Sequence, residues 1–208
     1  MDLQFYGANC VSLSHKGTRL VIDDNLEQLG GKSVTRPDDV ALCTMPPKSP
    51  PAARLTIDGP GEYEVADISI IGITARAHME ADEKNRDATM FKLIIGEHSA
   101  LFTGHIYPEL DETQLEAIGM VDVMVVPVGG NGYTVDPVGA LKLIKAVEPK
   151  LVIPTHYADK SLKYPVPQQE LSAALKEIGM EPKETVAKFK LKPAELTDVT
   201  QLVVLERS

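Results

Sequence analysis

Through residue 103, apolar and polar positions alternate in short runs, the period of half-buried strands. The pattern predicts strands at residues 3–6, 10–14, 18–23, 40–43, 54–58, 62–65, 68–75, 89–95 and 100–103. Lys16-Gly17, Asp58-Gly59-Pro60-Gly61, Ala66-Asp67 and Gly96-Glu97 punctuate them, as expected of antiparallel meanders. Beyond residue 108 the period changes. Residues 109–118 carry Leu110, Leu115 and Ile118 at helical spacing, and 121–128 form the continuous apolar run of a strand buried on both faces. Asp136 and Pro137 open a helix over 137–147, with Val138, Leu141, Ile144 and Ala146 expected on its inner side. A buried strand at 151–154 follows. A second helix over 167–178 turns Leu171, Leu175 and Ile178 inward and ends at Gly179. Strands at 185–191 and 201–206 complete the pattern. Residues 45–53, with four prolines, and the polar stretch 79–87 are the expected flexible segments. By periodicity alone this is a mixed α/β chain, one domain over 1–208, with much antiparallel sheet and helices packed on it.

Composition narrows the functional classes. A formal net charge of −9 argues against a nucleic-acid surface, which needs clustered Lys and Arg. No apolar run approaches bilayer-spanning length, so no membrane partner is expected. Met1 leads straight into a strand, so a cytoplasmic protein is expected. Cys10 and Cys43 sit in apolar strand contexts and read as reduced core thiols. Self-association is left open.

The candidate chemistry lies in the histidines. His78, His105 and His156 each end an apolar strand run, where loops gather and binding groups are usually placed. Three such positions in a chain of five histidines point to one shared site. Each alone also reads as an ordinary histidine bonded to a backbone carbonyl. His15 and His98 fall on turns between antiparallel strands and are expected to have no chemical role. The loop Gly129-Gly130-Asn131-Gly132 leaves a buried strand and precedes a helix start. It reads as a backbone cradle for a small phosphorylated or carboxylated anion, or as a turn that needs positive φ.

Several segments together resemble a known family. Gly7-Ala8-Asn9-Cys10 followed by 16–23, then Gly59-Pro60-Gly61-Glu62-Tyr63-Glu64-Val65, Val126-Pro127-Val128-Gly129-Gly130 and Val152-Ile153-Pro154-Thr155-His156-Tyr157, are similar to landmarks of the lactonase-like, Zn-dependent hydrolase branch of the metallo-β-lactamase fold. The resemblance covers essentially the whole chain. It implies a four-layer αββα sandwich with a metal site between the sheets at one edge. Such enzymes carry a His-x-His-x-Asp-His run after the strand that here ends at Cys43-Thr44. This chain has Met45-Pro46-Pro47-Lys48-Ser49-Pro50 there, without a good zinc ligand. Ala8 stands where the family often has an early histidine, and Gly104-His105 stands where it shows Gly-Asp.

Transferred through this resemblance, His78 and His156 match family histidines, and His105 adds a third imidazole from a converging loop. Three imidazoles and a water would make at most a mononuclear site, with zinc the first expectation, for hydrolysis of an ester, lactone, amide or phosphoester. Glu62, Glu64, Asp82, Tyr157 and Asp159 are the candidate supporting groups or base. The competing reading is a catalytically silent domain that binds a small anion or a protein partner. The stiff proline segment would then be a recognition surface or a plug over an abandoned site.

Overall fold

The computed structural model describes residues 1–78, 87–192, 194 and 196–208. Two sheets face one another. The first has six strands, in the order β13 (Phe189–Lys190), β1 (Asp2–Gly7), β2 (Cys10–His15), β3 (Thr18–Ile22), β4 (Val40–Leu42) and β5 (Leu55–Ile57). The second has eight: β12 (Glu184–Val186), β14 (Gln201–Leu205), β11 (Leu151–Thr155), β10 (Val123–Pro127), β9 (His98–Phe102), β8 (Asp87–Ile95), β7 (Ile68–Arg76) and β6 (Gly61–Val65). Leu3, Phe5, Leu13, Leu20 and Leu42 of the first sheet pack against Ile68, Ile70, Phe91, Phe102, Val125 and Ile153 of the second, all essentially without exposure. Alternation in β1 puts Leu3 and Phe5 into this core and leaves Asp2, Gln4 and Tyr6 outside.

The other face of the eight-stranded sheet carries the helices. β9, β10, β11 and β14 run parallel, and parallel neighbours need a crossover, supplied by α1 (Glu112–Ile118), α2 (Pro137–Val147) and α3 (Leu171–Ile178). Asp111 caps α1 through a reciprocal pair with Gln114, and the Asp136 side chain accepts from Gly139 N at the start of α2. The buried stripe of α2 is Ala140, Leu143, Ile144 and Val147, spaced i, i+3, i+4, i+7. Of the inner positions expected from sequence only Ile144 is fully buried, Leu141 is half-buried, and Val138 is 49% exposed. On the six-stranded sheet the outer layer is thin, made of a 3₁₀ turn (Leu26–Leu29) and Leu162 over Cys10 and Val21.

Two boundaries differ from the periodic reading. The strand expected at 185–191 is split, and its halves join different sheets: β12 pairs with β14 and β13 with β1. The helix expected from 167 begins at Leu171, leaving 166–170 irregular. The proline segment is not a plug, since Pro46, Lys48, Ser49 and Pro50 are exposed and only Met45 packs partly into the helix-side core. Most of the stretch 79–87, including Asp82, lies outside the described residues. No described helix is long and apolar enough to cross a membrane.

Candidate metal centre

Strand direction gathers the site. β7 and β9 are both antiparallel to β8, and β9, β10 and β11 are parallel, so all four exit at one edge. Those exits lead to His78, His105, the glycine loop and His156. In the facing sheet β1, β3 and β4 end at the same edge, delivering Ala8-Asn9, Asp23 and Thr44. His156 N donates to Ala8 O at 2.6 Å, and Thr155 Oγ1 donates to Asn9 Oδ1 at 2.7 Å, tying the two sheets together. His78 N donates to His105 O at 2.7 Å, beside a bridge between Ala77 and Ile106.

His105 and His156 meet ring to ring, and His78 joins them through its backbone N–H on His105 O. The rings of His105 and His156 pack edge to face with centroids 4.7 Å apart, flanked by Tyr133 at 6.0 and 5.5 Å and, on His156, by Tyr164 at 5.2 Å. His156 is fully buried. Burial brings its pKa down to about 4, against a smaller upward pull from Gln168. His105 lies well below its ordinary value, first through desolvation and then through His156 and His78. Desolvation also lowers His78, partly offset by the Asp136 carboxylate. All three imidazoles are thus neutral at neutral pH, the form that ligates a metal. His78 Nδ1 and His156 Nε2 are buried without a hydrogen-bond partner. Yet among the described residues no three His, Cys, Asp or Glu side chains already stand in ligand geometry. Of these groups, His78 Nδ1 and His156 Nε2 are the two ring nitrogens left unpartnered, and the His105 ring packs against that of His156.

Beneath the histidines lies a network that sequence reading missed. Asp23 accepts from Thr44 N at 2.7 Å, Thr44 Oγ1 at 2.6 Å and Asn9 Nδ2 at 2.6 Å. Burial still raises its pKa, so desolvation outweighs these three bonds. A Cβ on Gly104 (φ +63°) would lie 2.2 Å from Thr44 Oγ1, so only glycine lets this pair close under His105. Seven non-glycine residues have positive φ among the described residues. Ala8, Asp23, Asn131 and His156 line this edge, whereas Lys16, Ala66 and Glu148 occupy turns or a helix cap. Such concentrated strain is usual at functional sites. The one sequence signal for Asp23 was a carboxylate directly ending a buried strand.

Several expected neighbours lie elsewhere. Glu62 and Glu64 are exposed on edge strand β6, where Glu62 pairs with Ile71, seven positions before His78 and roughly 20 Å away along the strand. Tyr157 turns its ring onto Phe5 at 5.5 Å and its hydroxyl to Leu205 O, with its pKa pushed up to about 12 by burial. Asp159 pairs with Arg207 at 3.0 Å. The glycine loop turns through positive φ at Gly130, Asn131 and Gly132. Gly130 N is committed to Val135 O, and Asp136 already caps the following helix. The side-chain hydrogen bond of the His156 ring is with Gln168, whose Oε1 lies 3.1 Å from its Nδ1. His98 opens β9 just past the turn, with Nδ1 3.2 Å from Asp122. Both cysteines are buried as free thiols raised by desolvation, which leaves them poor nucleophiles.

Residues 2–156 match the sequence profile of the β-lactamase superfamily domain. The chain belongs to that superfamily. A metal-dependent hydrolase from Carboxydothermus hydrogenoformans is 40% identical over 67 residues, which span 32% of this chain and 29% of that protein. In fold, the chain is similar to a Thermotoga maritima protein assigned to the Zn-dependent hydrolases of the metallo-β-lactamase superfamily, with a TM-score of 0.75 and 23% identity over 100% of this chain and 99% of the other. A metallo hydrolase from Ignicoccus hospitalis gives 0.63 and 16% over 92% and 99%. At these identities the structural likeness shows the superfamily's αββα fold alone.

Proposed function

We propose that this superfamily member is a hydrolase with an altered site, using at most one divalent ion, with zinc the first candidate, at His78, His105 and His156. Its substrate would be an ester, lactone, amide or phosphoester. The observation that carries this reading is the pair of buried, unpartnered ring nitrogens, His78 Nδ1 and His156 Nε2, on neutral imidazoles around His105. Leaving such atoms unpaired costs stability unless something else engages them. The relatives named as metal-dependent or Zn-dependent hydrolases support the same reading. A bound ion would supply Lewis acidity toward the scissile group and toward water. The protein's own part is to hold the imidazoles uncharged, so that they do not repel a cation. Tyr133 and Tyr164 flank His156 and limit water around it.

One observation favours the second reading, a silent domain that binds a small anion or a protein partner: no described trio of donors is set in ligand geometry. Elemental analysis of the full chain, purified without chelator and then offered zinc, manganese and iron, separates the two. About one equivalent, lost in His156→Ala, is expected. His105→Asp should shift preference toward manganese, because it replaces a neutral nitrogen with an anionic oxygen. A protein that takes up no metal, with unchanged behaviour in all three His→Ala variants, leaves the silent domain.

A further inference from the structure

The glycine loop and Gln168 belong together. Gln168 is buried, in the irregular stretch before α3. Its Nε2 donates to Val166 O at 2.8 Å, which fixes the orientation of the amide, since a carbonyl can only accept. Its Oε1 therefore faces His156 Nδ1. An amide oxygen only accepts too, so Nδ1 must carry the hydrogen. A neutral imidazole has one N–H, which leaves Nε2 bare and agrees with its lack of a partner. Gly129 makes the seat for this amide. A Cβ there would lie 2.3 Å from Gln168 Oε1 and 1.9 Å from His156 O. Gln169 N donates to Gly129 O at 2.8 Å and the Asn131 amide donates to Pro167 O, closing 167–169 onto the loop.

We propose that Gln168, seated on Gly129, is a positioning residue that holds His156 in its Nδ1–H tautomer and so presents the Nε2 lone pair to the site's ligand. The loop thereby acts as a seat for a side chain. The tautomer stands on this geometry alone; its use in holding an ion rests on the proposed function.

Long-range ¹H–¹⁵N spectra of the metal-free full chain at neutral pH, with the His156 signals assigned through His156→Ala, read the tautomer directly. The wild type should show a protonated Nδ1 and a bare Nε2. Gln168→Leu should lose that signature, and Gln168→Glu, whose buried carboxylic acid can donate its O–H to Val166 O and accept from Nδ1–H through its other oxygen, should restore it. Zinc affinity, measured by chelator competition, should fall about tenfold to a hundredfold in Gln168→Leu and recover in Gln168→Glu. A wild-type His156 carrying its proton on Nε2 overturns the proposal, as does an unchanged tautomer in folded Gln168→Leu. If Gln168→Leu fails to fold, the wild-type and Gln168→Glu spectra still decide. If the tautomer responds as expected while no form, wild type included, binds zinc, the clamp is upheld and the metal reading falls.

Discussion

The two ends of β9 solve the problem of a histidine in opposite ways. At its start, His98 lies 3.2 Å from Asp122, which also takes Lys150 Nζ at 2.8 Å and Ser99 N at 3.1 Å. The group is partly exposed, and its polar atoms answer one another. Three residues past the other end, His105 packs on His156 near His78 in a desolvated group with two unpartnered ring nitrogens, at an edge where Ala8, Asp23, Asn131 and His156 itself are left-handed. One edge has settled its polar groups locally, and the other leaves two buried ring nitrogens without a partner. That difference is why we place the proposed site at the second edge, since strain and unpaired polar groups persist only where the surrounding structure imposes them.

The sharpest way to break this contrast is at the glycines. Gly129→Ala drives a Cβ into a backbone carbonyl and the Gln168 amide, neither free to withdraw, and should cost on the order of 4 kcal/mol in urea denaturation. A near-neutral result would mean that the edge is more pliable than its packing. The next effect is acid sensitivity. The folded pKa of His156, about 4, lies below its unfolded value of roughly 6.5. The unfolded chain thus binds the proton first, and stability is lost as pH falls through that window, by about 3 kcal/mol once below it. His156→Gln should flatten this part of the pH profile, and identical profiles for the two proteins would contradict it. At the opposite edge, Asp122→Asn removes one carboxylate from a group with a half-exposed lysine, and about 1 kcal/mol is expected. The smallest change is Gly96→Ala, in the turn before His98. Nothing lies within 4 Å of its Cβ position, so only the φ of +61° resists, again roughly 1 kcal/mol or less. A loss there matching that of Gly129→Ala would erase the distinction between the edges.

How the site was read from sequence follows from where its information lies. The three histidines were legible because each ends an apolar run, and strand exits are local features. Gln168 was not, because it falls in a stretch whose periodicity extends the helix that in fact begins at Leu171. Asp23 and Thr44 were overlooked because each looks like the polar end of its own strand. Only their mutual bonds, and Gly104 beside Thr44, make them a network. Tyr157 was misjudged for a related reason. Adjacency to His156 in sequence says nothing about orientation when the chain turns through φ +55° at His156 and sends the next ring into the core.

The sequence by itself determined the mixture of strand and helix, the cap at Asp136, and the three strand-exit imidazoles without the family's His-x-His-x-Asp-His run. These are properties of short windows, where period, turn chemistry and residue type act directly. Tertiary structure alone decided that 184–190 divides between two sheets, that α2 buries Ala140 and Leu143 in place of Val138, and that Asn9 answers Thr155 across 146 positions. The physical reason is range. Periodicity says which side of an element turns inward, while the neighbour it meets there is chosen by packing among segments that are distant along the chain.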